Sequence, residues 1–143
     1  MITFTPMTQV EEWNWVTERA RCMRMSDTGG IVAYDGDGQI QAICVFDSFT
    51  VDNCTVHLAI DNPLVLRHGF LNEVARHLFH VCDRKRLFGM ARSDNAKANK
   101  FNEKIGWKVV ATIPDGFADG IDFIVYRMDR DECRWLNKQK EAA

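Results

Sequence analysis

The sequence has 143 residues, of which 46% are hydrophobic and 27% are charged, a composition typical of one globular domain with its own core. Collagenous and intrinsically disordered chains are excluded by this balance. Eighteen basic residues against twenty acidic ones give a formal charge of -2, so there is no overall positive field to attract nucleic acid or an anionic membrane. We find no apolar run of membrane-spanning length and no basic leader followed by an apolar stretch, and we predict neither a membrane span nor a signal peptide.

The cysteines are odd in number and widely spaced, with no C-x-x-C pair and no neighbouring His cluster. This pattern favours neither a disulfide framework nor a zinc site, and we predict no metal centre. Most of them lie in apolar stretches, where a reduced cysteine behaves as a small hydrophobic residue. We therefore predict buried thiols and a reducing, cytoplasmic location. The five are Cys22, Cys44, Cys54, Cys82 and Cys133.

An amphipathic helix is predicted over residues 9–25. Thr8 and Glu11 precede or open it at capping-box spacing, and apolar residues follow at intervals of three and four. Trp15 lies off that apolar stripe, so it packs against a second surface or is exposed to a partner. The stripe consists of Val10, Trp13, Val16, Ala20 and Met23.

Three consecutive strands are predicted next, over residues 31–34, 40–46 and 54–60. The turn-forming stretch from Asp35 to Gly38 separates the first two and indicates a β-hairpin. The same stretch lacks the remaining ligands of an EF-hand, so a calcium loop is the weaker interpretation. Asn62 and Pro63 end the third strand. We expect these strands to pair antiparallel.

After Pro63 the hydrophobic pattern changes to helical spacing, and a helix is predicted over residues 69–83. The elements that follow are a strand at 87–91, a helix from Asp94 or Asn95 to Gly106, a strand at 107–113, a Gly-rich loop and a strand at 121–128. A short helix is predicted after Asp129. The order indicates a mixed α/β fold in one domain over 1–143, with an N-terminal strand and helix in 1–28, the sheet in 29–128 and a C-terminal helix in 129–143.

The loop between the third strand and the long helix is a candidate anion site. A helix start at the carboxyl end of a strand presents unpaired backbone N–H groups to a phosphate. Gly69 allows close backbone approach here, and Arg67 and His68 stand beside it. Taken alone, these residues are a weak signal, and an ordinary strand-to-helix turn is the stronger interpretation.

Together with the element order, this loop resembles the acetyl-CoA motif of the Gcn5-related N-acetyltransferase (GNAT) superfamily. That motif is a Pro followed by Q/R-x-x-G-x-G/A and an apolar helix. Pro63 and Gly69 match it, whereas Leu66 stands at the Q/R position and Leu71 at the last small position. The resemblance implies that residues of this loop and of the preceding strand end hold acetyl-CoA: Ile60, Leu66, Arg67, His68, Gly69, Phe70 and Leu71.

A second stretch, SDNAKANKFNEKIGWKVV, is similar to the N-x-x-A-x-x-L-Y-x-K-x-G-F segment of the same superfamily. Its matching residues are Asn95, Ala98, Phe101, Lys104, Gly106 and Trp107. The resemblance implies that Asn95 holds the pantetheine arm or the substrate, and that Asn102 and Lys104 lie on the cofactor side. Asn102 occupies the position of a Tyr that protonates the leaving thiolate in many members. Because an amide is not an acid, the acid here would be water, Ser93 or another group.

The implied activity is transfer of an acetyl group from acetyl-CoA to a primary amine. In the superfamily the backbone N–H that holds the oxyanion belongs to the strand before the phosphate loop, here within residues 57–61. His57 and Asp61 are the candidate general bases, and structural roles remain open for both. A basic helix face of Arg92, Lys97, Lys100 and Lys104 either attracts the 3'-phosphate of CoA or is only solvated. His77 and His80 are expected to face solvent.

The segment RHGFLNEVARHLF and the final MDRDECRWL resemble GNAT-like proteins of tailed phages and prophages. That resemblance implies a host-cell or virion location and an alternative function, a non-catalytic GNAT fold with an interaction role. Trp15, Trp135 and Leu136 also suggest a homodimer contact, because Trp supplies a large apolar area at interfaces. The alternative is that the C-terminal helix folds back on its own domain.

Overall fold

The structure, a computed structural model, describes residues 1–20 and 22–136. Within them a seven-stranded sheet carries helices on both faces. The strands are β1 (Thr3–Pro6), β2 (Gly29–Tyr34), β3 (Ile40–Asp47), β4 (Asn53–Ile60), β5 (Arg86–Arg92), β6 (Lys108–Ala118) and β7 (Ile121–Asp129). The helices are α1 (Val10–Ala20), α2 (Phe70–Ala75, continued as a π-helix over Arg76–Val81) and α3 (Ala96–Lys104), with 3-10 turns at Pro63–Leu66 and Arg130–Glu132.

The sheet is mixed, with the spatial order β1-β2-β3-β4-β5-β7-β6. The first four strands pair antiparallel, β4 pairs parallel with β5, and β7 pairs antiparallel with both β5 and β6. A parallel pair requires a crossover, and α2 provides it. The predicted mixed α/β fold with an antiparallel first half is confirmed.

Two apolar clusters lie on opposite faces of the sheet. The smaller one joins Val16 of α1 to alternate residues of the first strands, including Ile43 and Val45. The larger one joins the buried face of α2 to the intervening residues, including Cys44 and Val56. Because successive side chains of a strand point to opposite faces, odd-numbered residues of β3 and β4 lie on the α1 face and even-numbered ones on the α2 face.

Helix α1 is shorter than predicted, ending at Ala20 in place of residue 25. Met23, assigned to its apolar stripe, lies beyond the helix and is 76% exposed. The acidic residue that caps the N-terminus of α1 is Glu12 and not Glu11. The Oε1 atom of Glu12 accepts the backbone N–H of Thr8 at 2.8 Å and that of Gln9 at 2.7 Å. The hydroxyl of Tyr34 donates to the other oxygen of Glu12, and burial together with this bond raises the pKa of Tyr34 to about 12. A helix start on Gln9 therefore replaces the predicted start on Thr8.

Strand β6 runs to Ala118 and so includes most of the predicted Gly-rich loop. The register with β7 shifts between Ile113 and Ala118, and Asp115 within the shift has a φ of 53°. Gly120, with a φ of 78°, occupies the tight turn before β7. A bulge of this kind adds residues without ending a strand, which is why the Pro and Gly residues of this stretch do not form an open loop.

The C-terminal segment folds back on its own domain. A 3-10 turn follows β7, and the described part of the predicted helix covers residues 134–136; the rest lies outside the described residues. Leu136 is buried in the larger cluster, and the indole Nε1 of Trp135 donates to the carbonyl of Ile105 at 2.9 Å. Trp15 is half-buried against the smaller cluster, with the Arg19 guanidinium 3.7 Å from its ring centroid. These contacts favour the fold-back alternative for Trp135 and Leu136.

No helix in the described ranges combines the length and apolarity that crossing a membrane requires. All five cysteines are free thiols, four of them buried. Burial raises the pKa of the Cys54 thiol to about 12 and raises that of Cys44 still further. Such thiols stay protonated and are poor nucleophiles.

Candidate active site

The two parallel strands at the centre of the sheet separate towards their carboxyl ends. β4 and β5 pair only at three positions, Asn53 with Arg86, Cys54 with Leu87 and Thr55 with Phe88. β5 nevertheless remains paired with β7 along its whole length to Arg92. The outcome is a V-shaped opening between the second half of β4 and the second half of β5, whose apex lies just beyond Thr55.

Within the described parts of the chain, backbone groups without a partner in β5 line the β4 side of this opening. The N–H of Asp61 donates to the Gln41 carbonyl of β3 at 3.0 Å, and backbone groups of an antiparallel strand alternate between its two neighbours. The N–H groups of Leu58 and Ile60 therefore point away from β3, towards the opening. The N–H of Asn62 also donates to the Gln41 carbonyl, at 3.3 Å, so the chain leaves the regular strand pattern just after Ile60.

The loop that closes the opening is built by turns and one glycine. Asn62 accepts the Leu64 N–H at 3.1 Å and starts a 3-10 turn at Pro63–Leu66. The N–H groups of Arg67, His68 and Gly69 donate to carbonyls three residues back, so, contrary to expectation, they are not available to a phosphate. Among the described residues no backbone acceptor is recorded for the N–H groups of Phe70 and Leu71, which form the first turn of α2.

Gly69 has a φ of 88° and is the N-cap of α2. A Cβ built on it would meet only the Asn72 Oδ1 atom at 3.8 Å, so the side facing the loop is open. Leu66 and Leu71, which replace the expected polar and small residues, pack into the larger cluster. Arg67 and His68 are exposed. The loop thus combines free first-turn amides with two adjacent cationic or ionisable side chains.

A His–Asp pair lies beside the apex of the opening, on the α1 face of the sheet. His57 Nε2 is 3.1 Å from the Asp47 Oδ2 atom. His57 is two residues beyond Thr55, the last residue of β4 that pairs with β5, and a quarter of its side chain is exposed. Asp47, at the end of β3, is only 5% exposed. A partly exposed imidazole held by a buried carboxylate is a common arrangement for a general base.

Asp61, the other predicted base, forms a two-point ion pair with Arg19 of α1, at 3.0 and 2.9 Å. This pair lies at the wide end of the opening, and both of its side chains are partly exposed. Ser93 is exposed just after β5, and its hydroxyl oxygen accepts the N–H of Asp122 at 2.9 Å. The Ser93 hydroxyl hydrogen is therefore still able to be donated. The structure brings Asp61 and Ser93 to the same end of the sheet as the loop.

Helix α3 begins at Asn95, whose Oδ1 accepts the Ala98 N–H at 3.1 Å. Asn99, one turn later, donates to the Arg92 carbonyl at 2.9 Å and accepts the Tyr126 hydroxyl at 2.6 Å. Asn102 is half-buried on the same helix. The four basic residues assigned to this face differ: the lysines Lys97, Lys100 and Lys104 are exposed, whereas Arg92 is paired with Asp94 at 2.9 and 2.8 Å.

Asn95 offers a direct test of whether it does more than cap the helix. Asn95→Ala is expected to lower the free energy of unfolding by about 1 kcal/mol, because the first turn loses its side-chain acceptor, and Asn95→Ser should restore it. Denaturant titration measures both. If Asn95 also holds the acyl donor, the Ser variant will be stable and yet have a lower affinity for acetyl-CoA by calorimetry. Equal affinity of Asn95→Ser and the parent would leave Asn95 a capping residue alone.

On the α2 face the apex is covered by apolar side chains. A cavity of about 20 Å³ lies between the helices and the sheet and is lined by Val56, Leu58, Leu71, Trp107 and Trp135 among others. The Asn72 amide donates to the Trp135 carbonyl at 2.6 Å, so the C-terminal segment bridges α2 and the end of α3. His77, expected to face solvent, is half-buried with its ring 5.2 Å from that of Phe46, while His80 is exposed. Burial and the nearby Arg76 charge lower the pKa of His77.

Sequence analysis missed Asp47, Arg19 and Asn99. Asp47 ends an apolar strand, where an acidic residue is easily assigned to the following loop. Its position diagonal to His57 depends on the register of β3 with β4, which the sequence does not specify. The available signal was parity: Asp47 shares a face with Ile43 and Val45, so a charged residue there lies on a buried surface.

No family model matches the chain, and no curated protein matches its sequence. Solved structures do match. The spermidine/spermine N-acetyltransferase SpeG from Vibrio cholerae superimposes with a TM-score of 0.75 at 9% identity, covering 96% of both chains. A dodecameric form of the Vibrio cholerae spermidine N-acetyltransferase gives 0.77 at 10% identity, covering 96% of this chain and 97% of that one.

A putative acetyltransferase of the GNAT family from Desulfovibrio desulfuricans gives a TM-score of 0.72 at 14% identity, covering 91% of this chain and 99% of the other. The similarity extends over nearly the whole chain in each case. At such low identities it establishes the fold: the protein has the fold of the GNAT acetyltransferases. The fold expected from the two motifs is confirmed.

Proposed function

We propose that the protein transfers an acetyl group from acetyl-CoA to a primary amine. The observation that carries this proposal is the V-shaped opening between β4 and β5, which ends at the loop before α2. An extended ligand needs a strand edge to pair with and, at its charged end, a set of free N–H groups. This chain has the two next to each other, on a fold that it shares with acetyltransferases.

The loop is suited to the pyrophosphate of CoA. Free N–H groups of Phe70 and Leu71 and the positive end of α2 attract an anion. Gly69 leaves the backbone open to a bulky phosphate, and one of the two exposed neighbours, Arg67 or His68, would supply the charge that Leu66 lacks. From the loop the pantetheine arm would run along the free edge of β4, past Ile60, with Asn95, Asn102 and Lys104 on the α3 side.

The acceptor amine would approach from the α1 face, because α2 and the acyl donor occupy the other. Its ammonium loses one proton to His57, and the free amine nitrogen attacks the thioester carbon from about 3 Å. A C–N bond forms while the carbonyl π-bond opens, and a free β4 N–H holds the oxyanion. Collapse breaks the C–S bond, and the second amine proton passes to the thiolate. The products are an acetamide, CoA thiol and one proton released from His57 to water.

Asn102 stands where an acidic side chain would protonate the leaving thiolate, and an amide cannot donate that proton. The hydroxyl of Ser93, which has its hydrogen free to donate, and a water molecule are the available donors. After the attack, the nitrogen of the tetrahedral intermediate still carries one proton that the amide product does not keep. Transfer from the tetrahedral nitrogen to sulfur, directly or through water, therefore satisfies the balance without a dedicated acid.

The alternative function is a GNAT fold that no longer catalyses and acts in a phage particle or as an interaction protein. Leu66 and Leu71 support it, because Leu71 is buried in the larger cluster and Leu66 packs against it, at positions where the superfamily motif has polar and small residues. The two functions share a fold and differ in ligand binding and turnover. We place the active enzyme in the cytoplasm, where reduced thiols persist.

Calorimetric titration of the purified protein with acetyl-CoA, followed by detection of free thiol with an amine panel, tests this proposal. The panel includes spermidine, since two of the similar structures are spermidine acetyltransferases, together with a peptide carrying a free N-terminus and a lysine peptide. We expect binding of acetyl-CoA and release of CoA with at least one amine. Binding without turnover on the whole panel would favour the alternative, and absence of binding would refute the proposed activity.

A further inference from the structure

We propose that Asp47 is a positioning residue for His57, fixing the imidazole so that its Nδ1 atom is the base for the acceptor amine. This inference rests on the proposed acetyl transfer and assigns a role that the loop and the opening do not require. It concerns the only side-chain hydrogen bond recorded between β3 and β4 among the described residues.

The pair is defined by strand register. Asp47 lies opposite Thr55, and His57 lies opposite Val45, so the two side chains are diagonal neighbours on one face. Their polar atoms, Oδ2 and Nε2, are 3.1 Å apart. Because both residues belong to the sheet and not to a loop, their relative positions are set by the backbone pairing of β3 with β4.

The Asp47 carboxylate is buried and depends on His57 for a hydrogen bond. Asp47 is 5% exposed, and within the described residues His57 is its one recorded side-chain hydrogen-bond partner. A buried carboxylate without a donor is unstable, so the arrangement favours a proton on Nε2 that is donated to Oδ2. The imidazole then has its lone pair on Nδ1.

This tautomer is the one the reaction needs. Nδ1 accepts the proton of the incoming ammonium. The neighbouring carboxylate then stabilises the imidazolium, and because this carboxylate is already buried, it loses little further hydration when the proton is transferred. Asp47 takes no proton itself. Without its charge the imidazole is free to rotate or to carry its proton on Nδ1, and either change removes the base without removing the amine or acetyl-CoA sites.

The test combines nitrogen-15 NMR of the imidazole with steady-state kinetics on Asp47→Asn, which keeps the shape but removes the charge. In the parent we expect the His57 proton on Nε2, and in Asp47→Asn a mixture of tautomers. The kcat is expected to fall by at least about 100-fold, the lower end of what a general base contributes, with unchanged acetyl-CoA affinity and an unchanged KM for the amine. Asp47→Glu should recover part of kcat, and Asp37→Asn, at the exposed hairpin turn, should leave both readouts at parent values.

Three results would overturn the inference. One is a parent spectrum with the proton on Nδ1, a measurement that needs no variant and so is independent of whether Asp47→Asn folds. Another is an unchanged kcat in folded Asp47→Asn, and the third is a loss confined to KM or to acetyl-CoA affinity. Absence of turnover in the parent itself would instead refute the proposed function, and the two failures are thus distinguishable.

Discussion

Gly69→Asp is expected to abolish acetyl-CoA binding while leaving the protein folded. The new carboxylate would stand at the N-terminus of α2, where the pyrophosphate requires the free N–H groups of Phe70 and Leu71. Like charges placed against each other cost several kcal/mol, so affinity should fall by at least about 100-fold. Calorimetry with acetyl-CoA measures the loss, and circular dichroism confirms the fold.

The matched control is Gly69→Asn, which has the same size without the charge. Both substitutions must adopt the φ of 88°, a conformation that Asn and Asp tolerate better than other side chains. Both should therefore lose about 1 kcal/mol of stability, with ample room for the Cβ, since its nearest neighbour is the flexible Asn72 side chain. If Gly69→Asn binds acetyl-CoA and Gly69→Asp does not, the loss of affinity is due to the charge. Parent affinity in both variants would mean that the anion binds elsewhere.

The order and type of most elements were predictable because the local signals agree with the final contacts. The hairpin of β2 and β3 has turn residues between two apolar runs, and the helix after Pro63 has a clear helical period. The end of α1 was not predictable in this way. Met23 continues the helical spacing, yet α1 ends at Ala20 and Met23 lies outside it, because the chain has to reach β2, a requirement of the tertiary fold alone.

The full length of β6 was not predicted because β6 lies at the edge of the sheet. Pro114 and Gly116 are turn residues in most contexts, but an edge strand tolerates a missing donor and a bulge. The register shift with β7 accommodates them, and the strand continues to Ala118. Whether a strand will be at an edge depends on the order of the whole sheet, in which β7 lies between β5 and β6.

The candidate site was predictable only in part, because its residues come from distant positions. The loop around Gly69 and the cap at Asn95 are local patterns, and both are found where the sequence indicated. The role of His57 depends on parity along β4, which a sequence supplies, but its partner Asp47 depends on register, which it does not. The pairing of Asp61 with Arg19 joins residues 42 positions apart and had no local signal.

His57→Ala is expected to lower kcat by about 100- to 10,000-fold, the usual contribution of a general base. Acetyl-CoA affinity should remain at the parent value, because the side chain lies on the α1 face and the loop is formed from other residues. The variant also leaves the buried Asp47 without its partner, so the free energy of unfolding should fall by about 1–3 kcal/mol. Kinetics, calorimetry and denaturant titration on one preparation measure the three quantities.

The matched control is His80→Ala, which removes an exposed histidine from the outer side of the helix after Ala75 and should leave kcat unchanged. Added imidazole offers a second test, because the truncated His57 side chain leaves space beside the apex that a free base can enter. Partial recovery of kcat in His57→Ala with imidazole, and none in the parent, would assign the lost rate to a missing base and not to altered packing. A folded His57→Ala enzyme with the parent kcat would instead mean that another base, Asp61 or water, deprotonates the amine, and the pair of His57 with Asp47 would then be structural.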